Sequence, residues 1–436
     1  MYAMNTLLCV QRLVALMTLA TCSATMAEPT SDYAGNWAGY LEFRGDKLAL
    51  RLEILSIDGD YRGALDIPEL VYANQPLPIK SGDTSLLLEL PFGIGEMSIA
   101  LTESGELQGG RDKFNLSLER SEKPARQEME LGFGAVEPRV FGTLTLPAGQ
   151  GPHPVIVIMA GSGNANRERW SYSSWVDFYL RRGIGTFIYD RRPDADQMSD
   201  GQLSTTEDHA ADVLDAIALL KRLPAVDADR MGVSGSSRGA WIAMSVASQS
   251  PDLAFLILSS PAATTPAEQE TTSVLTGMRQ DGVSESDIAA ARTYLRLYFY
   301  VAATGEGWNL LASSMEAAEA SAWYQYVDQP RTIDDLNWWR VNMNFEPGEY
   351  LQKITMPVLA MWGGNDFITP YAEHQLKLLA ALKLADNSDV TALVFDGADH
   401  RLEVGFGENE NGDWHWFGIA PGALKSITEF VNRTTN

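Results

Sequence analysis

The sequence predicts an α/β protein with a helical cap insertion, preceded by a small antiparallel all-β domain. Three observations carry this. Leu48, Leu50, Leu52 and Ile54 alternate with Ala49, Arg51 and Glu53, a two-residue period typical of a strand with one buried face. Beyond residue 150, short continuous apolar runs alternate with amphipathic helical stretches, the pattern of a parallel sheet covered on both sides. Between 261 and 350 that alternation stops and helical periodicity takes over.

The chain has 436 residues, enough for two or three domains. Acidic residues outnumber basic ones, 57 to 33, for a net charge of −24. Such a balance argues against a nucleic-acid partner or an anionic membrane surface, both of which need a basic face.

Residues 1–27 have the composition of a signal peptide. No charged side chain precedes Arg12, the apolar run over 13–20 is too short to span a bilayer, and Thr25-Met26-Ala27 offers a cleavage site before Glu28. The expectation is an exported protein, periplasmic or secreted. An N-terminal core helix is the other reading of the run, and Leu19-Ala20-Thr21-Cys22 resembles a lipoprotein box, with Thr21 a poor residue before a modified cysteine. Cys9 and Cys22 are the two cysteines of the chain. The sequence after the leader therefore holds no disulfide, zinc thiolate or cysteine nucleophile.

Residues 30–120 read as a small barrel or sandwich. Asp58-Gly59-Asp60 is a hairpin signal, and further short strands are expected at 85–90, 97–101 and 114–118, with Ser81-Gly82-Asp83 and Ser104-Gly105 as turns. Gly35-Asn36-Trp37 resembles the start of lipocalin-like barrels, which leaves two readings, a packing or spacer module and a ligand barrel. Residues 121–138 read as a linker.

The α/β domain is expected over 139–260 and 351–436. Its strands are predicted at 154–159, 185–189, 230–234, 253–259, 356–362 and 390–395, and its helices at 172–182, 205–223, after 239, 371–384 and 421–431. The insertion over 261–350 is expected as a helical cap with helices at 267–278, 284–303, 308–327 and 333–341. It is rich in aromatic residues, among them Tyr294, Tyr298, Trp323, Trp338 and Trp339. At helical spacing most of these read as cap core, and an apolar cap would favour acyl or aryl groups over sugars or phosphates.

Gly235-Ser236-Ser237-Arg238-Gly239 matches G-x-S-x-G between a predicted strand and a predicted helix. That setting puts Ser237 on a strained turn with its hydroxyl exposed, and the flanking glycines remove side chains that would collide. A Gly/Ser-rich helix start with a serine cap is the structural alternative. Of the five histidines, His400 follows the last apolar strand and comes after the serine and the candidate acids, as the order Ser…Asp…His requires. His153 reads as a surface residue, His209 and His374 as helix residues, and His415 as packing. Asp366, in the turn Gly363-Gly364-Asn365-Asp366 after a buried strand, is the candidate acid, and Asp396 and Asp399 are its rivals. The backbone N–H of Arg238 and that of Ser162, in the turn Ala160-Gly161-Ser162-Gly163-Asn164, are the candidate oxyanion donors.

With these segments the chain resembles the α/β-hydrolases, and within them bacterial serine esterases related to dienelactone hydrolases and the catalytic domains of prolyl-oligopeptidase-like enzymes. The resemblance covers residues 139–436. It rests on Met159-Ala160-Gly161-Ser162-Gly163, on Tyr189-Asp190-Arg191-Arg192, on the stretch from Arg230 to Ala240, on Pro357 to Asp366 and on Gly397-Ala398-Asp399-His400. It implies an α/β-hydrolase fold with Ser237 as nucleophile, Asp366 as acid and His400 as base. Two departures stand out. Ser236 and Arg238 flank the nucleophile where relatives often carry His before it and Gln, Glu or Met after it. Arg191-Arg192-Pro193-Asp194 replaces a common Arg-Gly-x-Gly turn. Arg238 is expected to pair with an acidic cap residue, with a substrate carboxylate as the other option.

The functional expectation is a serine hydrolase cleaving carboxylic esters of small molecules. The alternatives are a peptidase or thioesterase with the same three residues, and an exported lipid- or glycan-binding protein with an inactive hydrolase scaffold. No dinucleotide, P-loop or zinc-protease signature occurs, so no cofactor and no metal are implied. The acidic loop at 408–413 lacks EF-hand ligand spacing and reads as a solvated turn.

Overall fold

A computed structural model describes residues 33–82, 84–134, 140–163, 165–167, 170–192, 204–408 and 414–435. The expected signal peptide, both cysteines, the turn after Arg192 and most of the acidic loop lie outside these residues.

The first domain is a closed barrel of eight antiparallel strands. They are β1 (Gly35–Phe43), β2 (Asp46–Ile57), β3 (Asp60–Ile67), β4 (Tyr72–Ser81), β5 (Leu86–Leu90), β6 (Gly95–Leu101), β7 (Leu107–Arg111) and β8 (Phe114–Arg120). Closure comes from β1, which pairs with β2 on one side and β8 on the other. Alternate residues point inward. Trp37, Leu52, Ile54, Leu65, Leu86, Met97 and Leu118 are at most 1% exposed, and with their neighbours they fill the barrel. The interior is thus filled with packed apolar side chains. Each such side chain contributes about 1.5–3 kcal/mol through burial. Trp37→Ala would cost about 3–5 kcal/mol, because the cavity left behind adds to the lost transfer energy.

The segment expected as a linker contains a strand. β9 (Arg126–Phe133) pairs antiparallel with β10 (Val140–Pro147), from Arg126 opposite Pro147 to Phe133 opposite Val140. As an edge strand it keeps Arg126, Gln127, Glu128 and Glu130 in solvent, and these polar side chains hid its pattern.

The main sheet continues with β11 (His153–Met159), helix α1 (Trp170–Leu180), β12 (Gly185–Tyr189), α2 (Thr206–Leu220), β13 (Val226–Ser236), α3 (Arg238–Gln249) and β14 (Phe255–Ser259). The cap follows with α4 (Pro266–Gln280), α5 (Glu285–Thr304), α6 (Trp308–Ala318), α7 (Asn337–Asn342) and α8 (Pro347–Leu351). The helix expected over 308–327 stops at Ala318, and the one expected over 333–341 is a short 3₁₀ turn, Ile333–Leu336, running into α7. The sheet resumes with β15 (Val358–Gly363), α9 (Tyr371–Leu384) and β16 (Val390–Phe395), and α10 (Ala423–Thr435) ends the described chain. Between β16 and α10 lies an arm of four two-residue strands that sequence patterning did not reveal. They are β17 (Glu403–Val404), β18 (Gly407–Glu408), β19 (Trp414–His415) and β20 (Gly418–Ile419).

The strand order across the main sheet is β16-β15-β14-β13-β11-β12-β10-β9, parallel from β16 to β12 and antiparallel at the other edge. The central strands are buried on both faces, which explains their continuous apolar runs. One face packs under α2, α3 and α9 with Val213, Ile242 and Leu378, and the other under α1 and α10 with Phe178, Ile427 and Phe430. Among the described residues no helix is long and apolar enough to cross a membrane.

Candidate active site

β13 ends at Ser236 and α3 begins at Arg238, so Ser237 alone makes the turn. It does so at φ 52°, ψ −123°, a conformation that a residue with a side chain rarely adopts. The flanking glycines are sterically required. A Cβ on Gly235 would stand 2.2 Å from Gly239 O, and one on Gly239 would stand 2.3 Å from Met159 O. The turn is fixed to its neighbour by Ser237 N–H donating to Ser259 O at 2.9 Å.

His400 lies in the loop after β16. Its Nε2 is 2.9 Å from Ser237 Oγ and its Nδ1 is 2.8 Å from Asp366 Oδ2. Ser260 Oγ donates to His400 O at 2.8 Å and holds the loop from below. The structure thus brings Ser237, His400 and Asp366 into one hydrogen-bonded line, although they are up to 163 residues apart in the chain. Asp399 takes no part in that line. Its Oδ1 accepts from Arg401 N and Glu403 N at 2.8 and 3.0 Å and shapes the loop.

The Asp366 side chain is fully buried. Its Oδ1 accepts from the N–H groups of Ile368 and Thr369, both at 2.9 Å, and its Oδ2 accepts from Thr369 Oγ1 at 2.6 Å. Burial pushes this carboxyl up, but the His400 hydrogen bond and charge and the Thr369 bonds outweigh it and hold the group below the usual carboxylate value. Thr369 escaped the sequence reading. Its signal is local, an Asp followed three residues later by Thr at a helix approach, the composition of an Asx-type turn.

The turn after β11 lies against the serine. A Cβ on Gly161 would be 3.4 Å from Ser237 Cβ. Arg191 braces this turn: Nη1 donates to Ala160 O and Gly161 O at 3.1 and 2.8 Å, and Nη2 donates to Gly163 O at 2.9 Å. Ser162 sits between the two outer carbonyls of that grip. Arg238 opens α3, where first-turn N–H groups find no acceptor within their own helix. Its guanidinium is buried, with the Trp338 ring 4.9 Å from its central carbon and His209 Nε2 3.4 Å from Nη2. These contacts join the start of α3 to α7 of the cap and to α2.

The other histidines take different places. His209 and His374 are buried on α2 and α9, and His153 and His415 are half-buried. His374 Nδ1 accepts from Ala263 N at 3.2 Å, at the passage from β14 into the cap. Burial pushes its imidazole down to about 4, so it is neutral near pH 7. Among the described residues no group of three or more His, Cys, Asp or Glu could hold a metal ion.

No protein-family model matches the chain. A search of curated proteins finds Esterase EstD of Thermotoga maritima, 22% identical over 273 residues, which are 62% of this chain and 59% of that protein. The chain therefore spans less than two thirds of that relative's length. Among solved structures it is similar to an esterase of Pyrococcus furiosus (TM-score 0.43, 15% identity, 71% of this chain and 92% of that one). Another similar structure is Est1E of Butyrivibrio proteoclasticus (TM-score 0.41, 18% identity, 70% and 96%). Numbered from the β9 edge in chain order, the eight sheet strands run 1-2-4-3-5-6-7-8. With that strand order and the one-residue turn that lifts Ser237 between β13 and α3, the chain has the α/β-hydrolase fold.

Proposed function

We propose that the protein hydrolyses carboxylic esters of small molecules through an acyl-enzyme on Ser237. The observation that carries this is the line from Ser237 Oγ through both nitrogens of His400 to Asp366, with spacings of 2.9 and 2.8 Å. Ser237 Oγ attacks the ester carbonyl carbon while its proton passes to His400 Nε2. Asp366 holds the ring by Nδ1 and stabilises the imidazolium. Backbone N–H groups of Ser162 and Arg238 receive the oxyanion. The bond to the alcohol oxygen breaks, and His400 returns the proton to that oxygen. Water then attacks the acyl-serine with His400 as base, releasing the acid and restoring Ser237.

The similarity to Esterase EstD supports an ester over a peptide or thioester. The apolar side chains that fill the barrel weigh against the alternative in which this domain holds a lipid or glycan. The composition of residues 1–27 supports an exported enzyme.

The test is a fluorophosphonate probe with the adduct located by mass spectrometry, run beside an ester panel. The expected result is a single adduct on Ser237 that His400→Ala abolishes, and turnover that Ser237→Ala lowers by roughly 10⁴-fold or more. A folded Ser237→Ala protein with near-normal esterase rate would overturn the assignment.

A further inference from the structure

We infer that the barrel domain is a positioning element for His400, acting through the arm between β17 and β20. The inference rests on the proposed role of His400 and extends it to a domain that has no residue in the site.

The arm begins three residues after His400 and is built into the same loop. Asp399 N–H donates to Glu403 O at 2.9 Å, and Leu402 N–H donates to Asp399 O at 3.0 Å. Ala420 N–H donates to Leu402 O at 2.7 Å, and β17 pairs with β20, so the far end of the arm returns to the base of the histidine loop. His400 is therefore held between Asp399 and a small two-stranded clasp.

The arm is anchored on the barrel by aromatic rings. Phe43 and Phe114 stack at 4.4 Å on the barrel side, and Phe406 and Trp416 of the arm lie 6.0–6.4 Å from them. Phe417 stacks on Phe92 of the barrel at 5.0 Å. Pairs of this geometry contribute beyond the area they bury, and they have fixed orientations. A second contact lies nearer the histidine. Val71, in the link between β3 and β4, belongs to the same apolar cluster as Leu402 and Ile419. A Cβ on Gly418 would be 3.2 Å from Leu70, so barrel and arm are in close contact there. Leu402 is two residues from His400 and takes a positive φ of 62°, a conformation that needs packing around it. Phe43, Phe114, Phe92, Leu70 and Val71 of the barrel domain thus converge on the arm that continues from the His400 loop. Both catalytic spacings are near 3 Å, and displacement of about 1 Å at such a distance lowers rates by on the order of 100-fold.

The experiment uses the full chain with Trp416→Ala and Phe406→Ala, and with Trp416→Phe as the conservative control. Three quantities are read at a temperature well below unfolding: kcat and KM on a nitrophenyl ester, the rate of fluorophosphonate labelling of Ser237, and the far-downfield proton resonance of His400 Nδ1–H. The expected result is a fall of about tenfold or more in kcat and in labelling rate, with KM within about twofold. The His400 resonance should broaden or vanish in both alanine variants and return in Trp416→Phe. If Trp416→Ala does not fold, Phe406→Ala decides the matter, because its ring is 39% exposed and its loss opens no closed cavity. Folded alanine variants with unchanged kcat and an intact resonance would overturn the inference. A wild-type protein that does not label at Ser237 would instead overturn the proposed reaction, and the resonance would still report whether the arm holds His400.

Discussion

Thr369 Oγ1 and His400 Nδ1 meet the same oxygen of Asp366, at 2.6 and 2.8 Å. The hydroxyl also reaches Ser260 O at 3.3 Å, so one side chain ties the acid to the strand end beneath the histidine loop.

Thr369→Val keeps the shape and removes the donor. The expected outcome is a kcat about tenfold lower, since a hydrogen bond to a buried charge contributes about 1.5–3 kcal/mol. Thr369→Ser should restore most of it. Asp366 titrates below its ordinary value of 3.8 in the folded protein, so its pairing adds stability above that value and loses it as pH falls further. Thr369→Val should therefore unfold at a higher pH on acid titration than the parent, followed by circular dichroism.

Arg191 grips the carbonyls on both sides of Ser162. A peptide unit is planar, so fixing Gly161 O on the guanidinium fixes the Ser162 N–H that points the other way. Arg191→Met should lower kcat by about 10- to 100-fold, the scale for weakening one oxyanion donor. KM should change little, and free guanidinium should restore part of the rate. Wild-type kcat in this variant would remove Arg191 from the account.

Glu270 on α4 lies inside the cap near Asp328. Burial and that like charge push its carboxyl up to about 7 from 4.5. The folded protein keeps this proton across that interval while the unfolded chain releases it. Stability therefore falls as pH rises from about 4.5 through 7, and the loss is complete above it. Glu270→Gln should raise Tm by about 2–4 °C at pH 8. At pH 4 the two proteins should melt together.

Ser237 stores backbone strain of about 1–3 kcal/mol at its positive φ. Ser237→Gly should abolish turnover and melt higher than Ser237→Ala. Gly239→Ala should do the reverse to the fold, because its Cβ would enter the carbonyl of Met159, and the expected readout is insoluble or strongly destabilised protein.

Features written in a few adjacent residues were legible in the sequence. The turn at Ser237 needs glycines at fixed offsets between a strand and a helix, and Asp366 and His400 each follow an apolar strand whose parallel setting brings strand ends to one edge of the sheet. Features made by contacts between distant segments were not. Arg126 to Glu130 of β9 all meet water, so its pairing with β10 left little periodicity. Arg191 looked like part of a departure from a common turn, and only the fold brings its guanidinium to three carbonyls of another loop. The arm strands are two residues each, too short for any period, and the part of Phe406, Trp416 and Phe417 shows only once the barrel stands beside them.

Phe43 and Trp416, far apart in the sequence, meet edge to face. A nascent polypeptide can fold its barrel early and can later form the strand, turn and helix that display Ser237. On the inference drawn above, His400 is set only when the segment around Trp416 docks on a barrel made well before it. A chain cut before Phe406 would lack this anchor together with α10, so the placement of His400 depends on two segments synthesised far apart in time.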